Sequence, residues 1–587
     1  MNILELASAV QAGRTSAVAA ARGALARIAA YEAVQPAVWI NRVSEAGVLA
    51  AAAKVDRRIA AGETLPLAGV PFAVKDNLDL AGLPTTAGCP AFAYTPTTGA
   101  SVVERLIAAG AVAMGKTNLD QFATGLVGAR SPYGALGCVF DRSFISGGSS
   151  SGSAVAVAAG LVGFALGTDT AGSGRVPAAF NHLTGFKPTP GRWSTGGLVP
   201  ACRSLDCVSV FTASPEEAVR VDEAVAGFDD PDPYSRPAPS PSPSIGRPFR
   251  IGIPPAAQQQ GLDGAARRLF SQAVERLASL GGEVIEVDIG FLLEAGALLY
   301  QGPWVAERTA AVGTLLQSQP DAIHPVVREI LEGGRRFSAV QAFEGQYALA
   351  GFRREAEAMW RDIDVLLLPT APTIFRLAEV EAEPLALNAQ LGRYTSFVNL
   401  LGMSAVAMPA GFRPNGTGFG VSLIGPPSAD RALLALAQAY LECSPMTVPP
   451  PLDLTGVRQT VRLAVVGAHL EGMPLHWQLA SRQARLLRRC KTAGVYRLYA
   501  MAASTPPKPA LVHVGADGAA IEVEVYELEV AAFGSFVADV PPPLAIGSVE
   551  LEDGVEVKGF VAEPRALTGA QDVTAFGGWR AYLASLA

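Results

Sequence analysis

The sequence predicts an α/β protein in which a mixed β-sheet is sandwiched by helices, followed by a smaller β-rich domain at the C-terminal end. Three observations carry that expectation. Short apolar runs such as Phe249–Ile253 and Val365–Pro369 alternate with alanine-rich helical segments such as Gly264–Leu280, the grammar of a sheet covered by helices. After Ser444–Gly456 (SPMTVPPPLDLTG) the texture changes: Val461–Val466 reads as an apolar strand, Ala519–Val530 alternates with period two, and Val549–Gly559 reads as turn-rich, acidic strand. Finally, half of the 587 residues are hydrophobic and 17% are charged. That is material for a large core in a chain too long for one ordinary domain.

Taken in order, residues 1–25 show Leu/Ala periodicity without a basic segment and an unbroken apolar core, so they read as amphipathic helix and not as a targeting signal. Ser153–Leu166 is apolar, short for a membrane span and interrupted by glycine, and reads as a buried helix. The Pro/Ser-rich run Phe228–Pro248 can form neither helix nor inner strand; it reads equally as a surface excursion inside a larger domain or as a true boundary, with the same alternation of strands and helices on both sides. A boundary near residue 455 divides the chain into 1–455 and 456–587, with no internal repeat.

The formal net charge of −7 argues against nucleic acid or an anionic membrane as principal partner. Six scattered cysteines show neither a CxxC pair nor zinc spacing, so free thiols in a reducing cytoplasm are expected, with no metal and no cofactor.

Chemistry concentrates in three places. Ser146–Ser153 (SGGSSSGS) opens an apolar, helix-like segment, but it lacks the Gly-Lys-Ser/Thr ending of a phosphate loop, and its flanks are too apolar for a linker. Gly167–Pro177 (GTDTAGSGRVP) carries an apolar run into a small-residue turn with Ser173 at its apex, where backbone N–H groups can converge on one point as an oxyanion hole requires. Val70–Asp76 (VPFAVKD) ends an apolar strand in Lys75; taken alone, such a lysine more often snorkels to the surface.

Together these strings resemble the amidase signature family: a lysine in V-K-D, a serine in G-G-S-S, and a nucleophile 24 residues later in G-S-x-R. The resemblance covers roughly residues 20 to 440 and implies the family's helix-covered mixed sheet. It also implies that Ser173 attacks an amide carbonyl, that its proton passes through Ser149, whose peptide bond is cis, to a neutral Lys75, and that the N–H groups of Thr170, Ala171 and Gly172 hold the oxyanion. Ala171, where many members carry glycine, still supplies an N–H. A lysine serves as a base near neutrality only if burial lowers its pKa by about three units. Thr168 and Asp169 are expected to brace the turn and Arg175 to anchor the segment after it. A Ser-His-Asp triad in this region would need His182, and the G-x-S-x-G string around Ser150 would arise by chance in a run made of glycine and serine.

Within that family, residues 122–134 (FATGLVGARSPYG), the Asp169–Pro177 turn and residues 300–308 (YQGPWVAER) resemble the allophanate hydrolases. The resemblance implies an amidase of urea degradation and nitrogen metabolism that releases ammonia from a small anionic amide, with Tyr300 and Arg308 on its carboxylate, Gly125 lining the pocket, and a homodimeric, cytoplasmic enzyme. The tail, from Val465–Leu475 (VVGAHLEGMPL), is similar to gamma-glutamylcyclotransferase-like barrels with their anion-gripping loop altered. In allophanate hydrolases such a domain is associated with decarboxylating the N-carboxycarbamate product, for which His469, and secondarily Glu527, are the candidates. The alternatives are a general small-amide amidase and a glutaminase-type amidotransferase subunit.

Overall fold

The computed structural model describes residues 2–237, 244–443, 460–502 and 504–586. The chain forms two compact units, Met1–Leu454 and Thr455–Ala587. The run at residues 444–456, where a boundary is expected, lies outside the described residues, as do residues 238–243 of the Pro/Ser-rich run. The described start of that run is tied to the first unit: Asp229 accepts from Ser101 (2.6 Å) and Asp232 accepts from the Thr195 N–H (2.7 Å).

The first unit is built on one sheet of eleven strands: β1 Trp39–Arg42, β2 Pro71–Lys75, β3 Val112–Thr117, β4 Phe164–Asp169, β5 Thr184–Lys187, β6 Cys207–Thr212, β7 Phe249–Ile253, β8 Gly282–Glu286, β9 Val365–Pro369, β10 Ser404–Phe412 and β11 Gly418–Gly425. Their spatial order is β1-β3-β2-β4-β6-β5-β10-β11-β9-β7-β8. β3, β2 and β4 run parallel, as do β9, β7 and β8, while the strands between these groups pair antiparallel. Every residue of β2, β4 and β6 is buried, which is why they read as unbroken apolar runs: a sheet covered on both faces has no solvent side to alternate toward.

Two sequence expectations change. The Ser153–Leu166 stretch is not one helix: the helix is Ser151–Ala158, Gly160 leaves it at φ +69°, and Phe164–Leu166 belong to β4. Periodicity cannot separate helix from strand when all but two positions, Ala158 and Gly160, are buried. The N-terminal segment is two helices, Ile3–Gln11 and Ala17–Glu32, the second capped by Ser16 accepting from the Ala19 N–H.

In the second unit the strands are β12 Thr460–Val465, β13 Arg485–Lys491, β14 Tyr496–Ala500, β15 Pro509–His513, β16 Glu522–Glu529, β17 Leu544–Glu550, β18 Glu556–Ala562 and β19 Gln571–Asp572. They form a five-stranded sheet, β13-β16-β12-β18-β17, and a three-stranded one, β15-β14-β19. The alternating run at 519–530 is β16, whose Val523 and Val525 are buried.

Parallel pairing at the centre of the first sheet brings Phe72 of β2 beside Phe164 of β4, stacked with ring centroids 5.2 Å apart. Phe164→Ala is expected to destabilise the first unit by about 3–5 kcal/mol through the cavity it leaves, read from the denaturant midpoint of that unit. A cost below about 1 kcal/mol would contradict the packing described.

Candidate active site

The parallel alignment of β2 and β4 places Lys75 at the end of one strand beside Thr168 near the end of the other. Lys75 is fully buried, so it does not snorkel. Its Nζ donates to Ser149 Oγ (2.8 Å) and to Thr168 Oγ1 (2.7 Å), and no carboxylate forms an ion pair with it among the described residues. Burial drives its pKa from 10.5 to about 7, against the opposing pull of Asp120, Asp206 and Asp169. A substantial fraction of the amine is therefore uncharged at neutral pH and offers a lone pair to one of its two hydroxyl neighbours.

Ser149 follows a cis peptide bond from Gly148, just ahead of the helix Ser151–Ala158. The chain reaches it through Gly147 at φ +75°, where a Cβ would lie 2.9 Å from Pro177 Cα, so only glycine fits this close approach. The Asp120 N–H holds the Ser149 carbonyl at 3.1 Å. Ser150 is not a free nucleophile: its hydroxyl donates to the Thr168 carbonyl (3.1 Å) and accepts from the Thr168 N–H (3.3 Å).

The turn that carries Ser173 is shaped by an ion pair. Arg175 donates twice to Asp169 (2.9 Å each), and neither side chain is exposed. Burial opposes the charge on Asp169, and the Arg175 guanidinium overrides it, holding the carboxyl below its usual range. The same carboxylate accepts from the N–H groups of Gly172 (2.9 Å) and Gly174 (3.0 Å). This changes the expected set of oxyanion donors. Because the Gly172 N–H is committed to Asp169, the N–H groups without an acceptor among the described residues are those of Thr170, Ala171 and Ser173. Ala171 keeps its N–H available, and the Thr395 hydroxyl fixes its carbonyl at 2.6 Å.

Ser173 is 2% exposed, and its hydroxyl makes no hydrogen bond among the described residues. The structure thus joins Lys75 to Ser149, while the Ser149 and Ser173 hydroxyls are not hydrogen-bonded to each other. A catalytic hydrogen bond in a ligand-free site commonly tightens only when substrate is bound. His182 takes no part: its ring stacks on Phe412 at 4.7 Å, and burial lowers its pKa to about 4.

Arg308 is buried, not a surface residue. Its guanidinium donates to the hydroxyls of Thr124 (3.3 Å) and Tyr300 (3.4 Å) and lies 4.9 Å from the Tyr300 ring centroid. Its Nε is buried without a partner, and it forms no ion pair with a carboxylate among the described residues. Tyr300 also lines a cleft of about 390 Å³ shared with Gly261, Pro372, Gly392 and Ser396. At Gly125, φ is +159° and a Cβ would collide with the Asp120 carboxylate (2.6 Å), so its lack of a side chain makes room for Asp120. Asp120 in turn accepts from the N–H groups of Val127, Gly128 and Arg130.

Sequence reasoning missed Asn77 and Asp206. Asn77 donates to Thr168 Oγ1 (3.2 Å), and Asp206 accepts from the Thr170 hydroxyl. Asn77 lies in the turn that follows β2, two residues past Lys75, and neither its position nor that of Asp206 carries a local signal.

In the second unit His469 lines a cavity of about 230 Å³. Its ring stacks on Phe560 (5.0 Å), meets Phe536 edge-on, and its Nε2 pairs with Gln478 Oε1 at 2.9 Å. Burial lowers its pKa. Glu527 is ion-paired with Arg485 (2.7 Å) and does not line that cavity. Among the described residues no cluster of His, Cys, Asp or Glu could hold a metal ion, and no helix is long and apolar enough to cross a membrane.

The folded-state pKa of Lys75 lies below its unfolded value, so the unfolded chain binds more protons between pH 7 and 10.5 and the native state gains stability as pH rises across that window. We expect the stability of the first unit, relative to its Lys75→Met variant, to climb from pH 7 to 10.5 and to level off below 7. A flat difference in unfolding midpoints would refute the depressed pKa.

Residues 24–434 match the Amidase family, and residues 461–584 match the allophanate hydrolase C-terminal domain. The chain is 46% identical to the urea amidolyase of Saccharomyces cerevisiae over 89% of its own length, though it spans only 30% of that protein. It is 41% identical to the Kluyveromyces lactis allophanate hydrolase structure, with a TM-score of 0.71 and 98% of both chains covered. It is 37% identical to a glutamyl-tRNA(Gln) amidotransferase subunit of Prochlorococcus marinus, over 75% of this chain and 96% of that one. The chain belongs to the amidase family, with an allophanate hydrolase C-terminal domain behind its amidase domain.

Proposed function

We propose that this chain hydrolyses allophanate, first to ammonia and N-carboxycarbamate in the amidase unit and then, by loss of carbon dioxide, to carbamate in the C-terminal unit. The observation that carries the first step is a buried amine, unpaired with any carboxylate among the described residues and hydrogen-bonded to the Ser149 hydroxyl. Such an amine accepts a proton near neutrality.

Ser173 attacks the terminal amide carbonyl and passes its proton through Ser149 to Lys75. The N–H groups of Thr170, Ala171 and Ser173 receive the oxyanion. The proton returns along the same path to the leaving nitrogen, and the C–N bond breaks with its electron pair on ammonia. Water then repeats the sequence on the acyl-enzyme, releasing the dicarboxylate and freeing Ser173.

The choice of substrate rests on Arg308. A buried guanidinium without a carboxylate partner is costly unless an anion arrives to neutralise it, and a planar fork matches a carboxylate. With Tyr300 against it, Arg308 is the residue we assign to the substrate carboxylate. The glutaminase-type reading draws on the resemblance to amidotransferase subunits, but such a protein passes ammonia to a partner, whereas this reading requires free ammonia from the chain alone. The homodimer and the cytoplasmic setting belong to the same proposal.

For the second step the proposal assigns His469. With Gln478 Oε1 as acceptor, the neutral ring carries its hydrogen on Nε2 and its lone pair on Nδ1. His469 relays a proton from solvent to the nitrogen of N-carboxycarbamate as the carbon–nitrogen bond breaks and carbon dioxide departs.

An ammonia assay over allophanate, malonamate, biuret, urea and glutamine tests the reading: allophanate should react best and yield two ammonia molecules per substrate once carbamate decomposes. Preference for glutamine would overturn it. Ser173→Ala should lose both turnover and labelling by a fluorophosphonate. Lys75→Ala should lower kcat/KM by about 10²–10⁴-fold and abolish the acidic limb of the pH profile, along which the wild-type rate rises through pH about 7 as Lys75 loses its proton. Arg308→Ala should raise KM for allophanate by about 10–100-fold while Ser173 still labels; an unchanged KM removes the specificity assignment.

A further inference from the structure

The His469 cavity has a feature that the amide chemistry leaves unused. Two charged side chains line it, Lys508 and Asp539. Asp539 is neutralised by Arg482, whose Nη2 lies 2.5 Å away. The Lys508 ammonium has no ion pair and no hydrogen bond among the described residues, and the side chain is half-buried against the cavity wall. A cavity lined in part by polar groups, with one uncompensated cation on its wall, attracts a small anion.

Lys508 is also held in place. It sits at the end of a turn that enters β15, its N–H donates to the Ser504 hydroxyl (2.8 Å), and its carbonyl accepts from the Met501 N–H (3.2 Å). The next residue, Pro509, packs so closely on Gly467 that a Cβ there would overlap its ring. That contact fixes the Lys508 turn against the loop following β12, where the N–H groups of Gly467, Ala468 and His469 have no acceptor among the described residues. A second cavity of about 370 Å³ shares Lys508, and its other cation, Arg565, is already paired with Glu563 at 2.6 Å. Lys508 is thus the unneutralised positive charge facing both spaces.

We propose that Lys508 is the anion-holding residue of this cavity, binding one carboxylate of a small dicarboxylate while the other lies toward His469 and the free N–H groups of the 467–469 loop. This rests on reading the C-terminal unit as the second catalytic stage. N-carboxycarbamate carries two carboxylates joined through one N–H, and a neutral imidazole by itself offers no charge to hold either of them. With one carboxylate held by Lys508, the other leaves as carbon dioxide; its C–N electron pair stays on nitrogen, which takes the proton relayed by His469.

The test uses the full chain and ¹³C-labelled allophanate, following the dicarboxylate by NMR with ammonia release from the amidase unit as internal standard. In Lys508→Met and Lys508→Gln the dicarboxylate should accumulate, its enzymatic decay slowed about 10–100-fold, while Lys508→Arg, which keeps the charge, retains at least about a third of the wild-type decay rate. Decay at the wild-type rate in both neutral variants, with accumulation in His469→Ala, overturns the Lys508 assignment and leaves the second-stage reading intact. Decay at the wild-type rate in His469→Ala as well overturns both. An arginine variant as slow as the neutral ones overturns the role of charge.

Discussion

An amine without a carboxylate, enclosed by protein, is the constraint around which the first unit is organised. Water stabilises an ammonium far better than a protein interior does, so burying Lys75 with only hydroxyl partners moves its pKa from 10.5 to about 7. The surroundings do not cancel that shift. Asp120, Asp169 and Asp206, the carboxylates that could restore the charge, are committed elsewhere: the first to backbone N–H groups of the 127–130 loop, the second to Arg175 and the turn at Gly172 and Gly174, the third to the Thr170 hydroxyl and the N–H groups of Ala201 and Cys202. Each shapes the backbone near Lys75 without forming an ion pair with it. The site therefore combines a strong electrostatic frame with a base that stays poised near neutrality.

That arrangement explains why two parallel strands matter more than any loop. β2 supplies Lys75 and β4 supplies Thr168, and the register between them sets both partners of the amine. Fully buried strands move little, so the distance from Lys75 to Thr168 is held by the packing of the whole sheet. Ser173, the proposed nucleophile, lies on a turn that the same strand launches, and the Asp169–Arg175 pair gives that turn its shape. Its cost in desolvation is met by four hydrogen bonds to one carboxylate.

In the proposed scheme both units meet anions with cations that lack a carboxylate partner, in different ways. Arg308 is buried, rests on an aromatic ring and has a fixed planar fork. Lys508 is half-buried at a cavity wall, where a compact ammonium can follow a ligand whose shape changes as a carboxyl group is lost. The difference is the one expected between recognising a substrate and holding an intermediate.

The sequence by itself determined the alternation that makes a helix-covered sheet, the β-rich tail, and the three strings that carry Lys75, Ser149 and Ser173, because local hydrophobic period and small-residue turns are properties of neighbouring positions. It could not separate helix from strand within Ser153–Leu166, where burial at nearly every position erases periodicity. Nor could it show that Gly125 makes room for Asp120, that the Gly172 N–H serves Asp169 in place of an oxyanion, or that Arg308 is buried and unpaired. Those facts depend on which residues from distant parts of the chain meet across the sheet, as do Asp206 beneath Thr170 and Lys508 beside His469. Burial and partnership are relations between segments, and only the tertiary structure decides them.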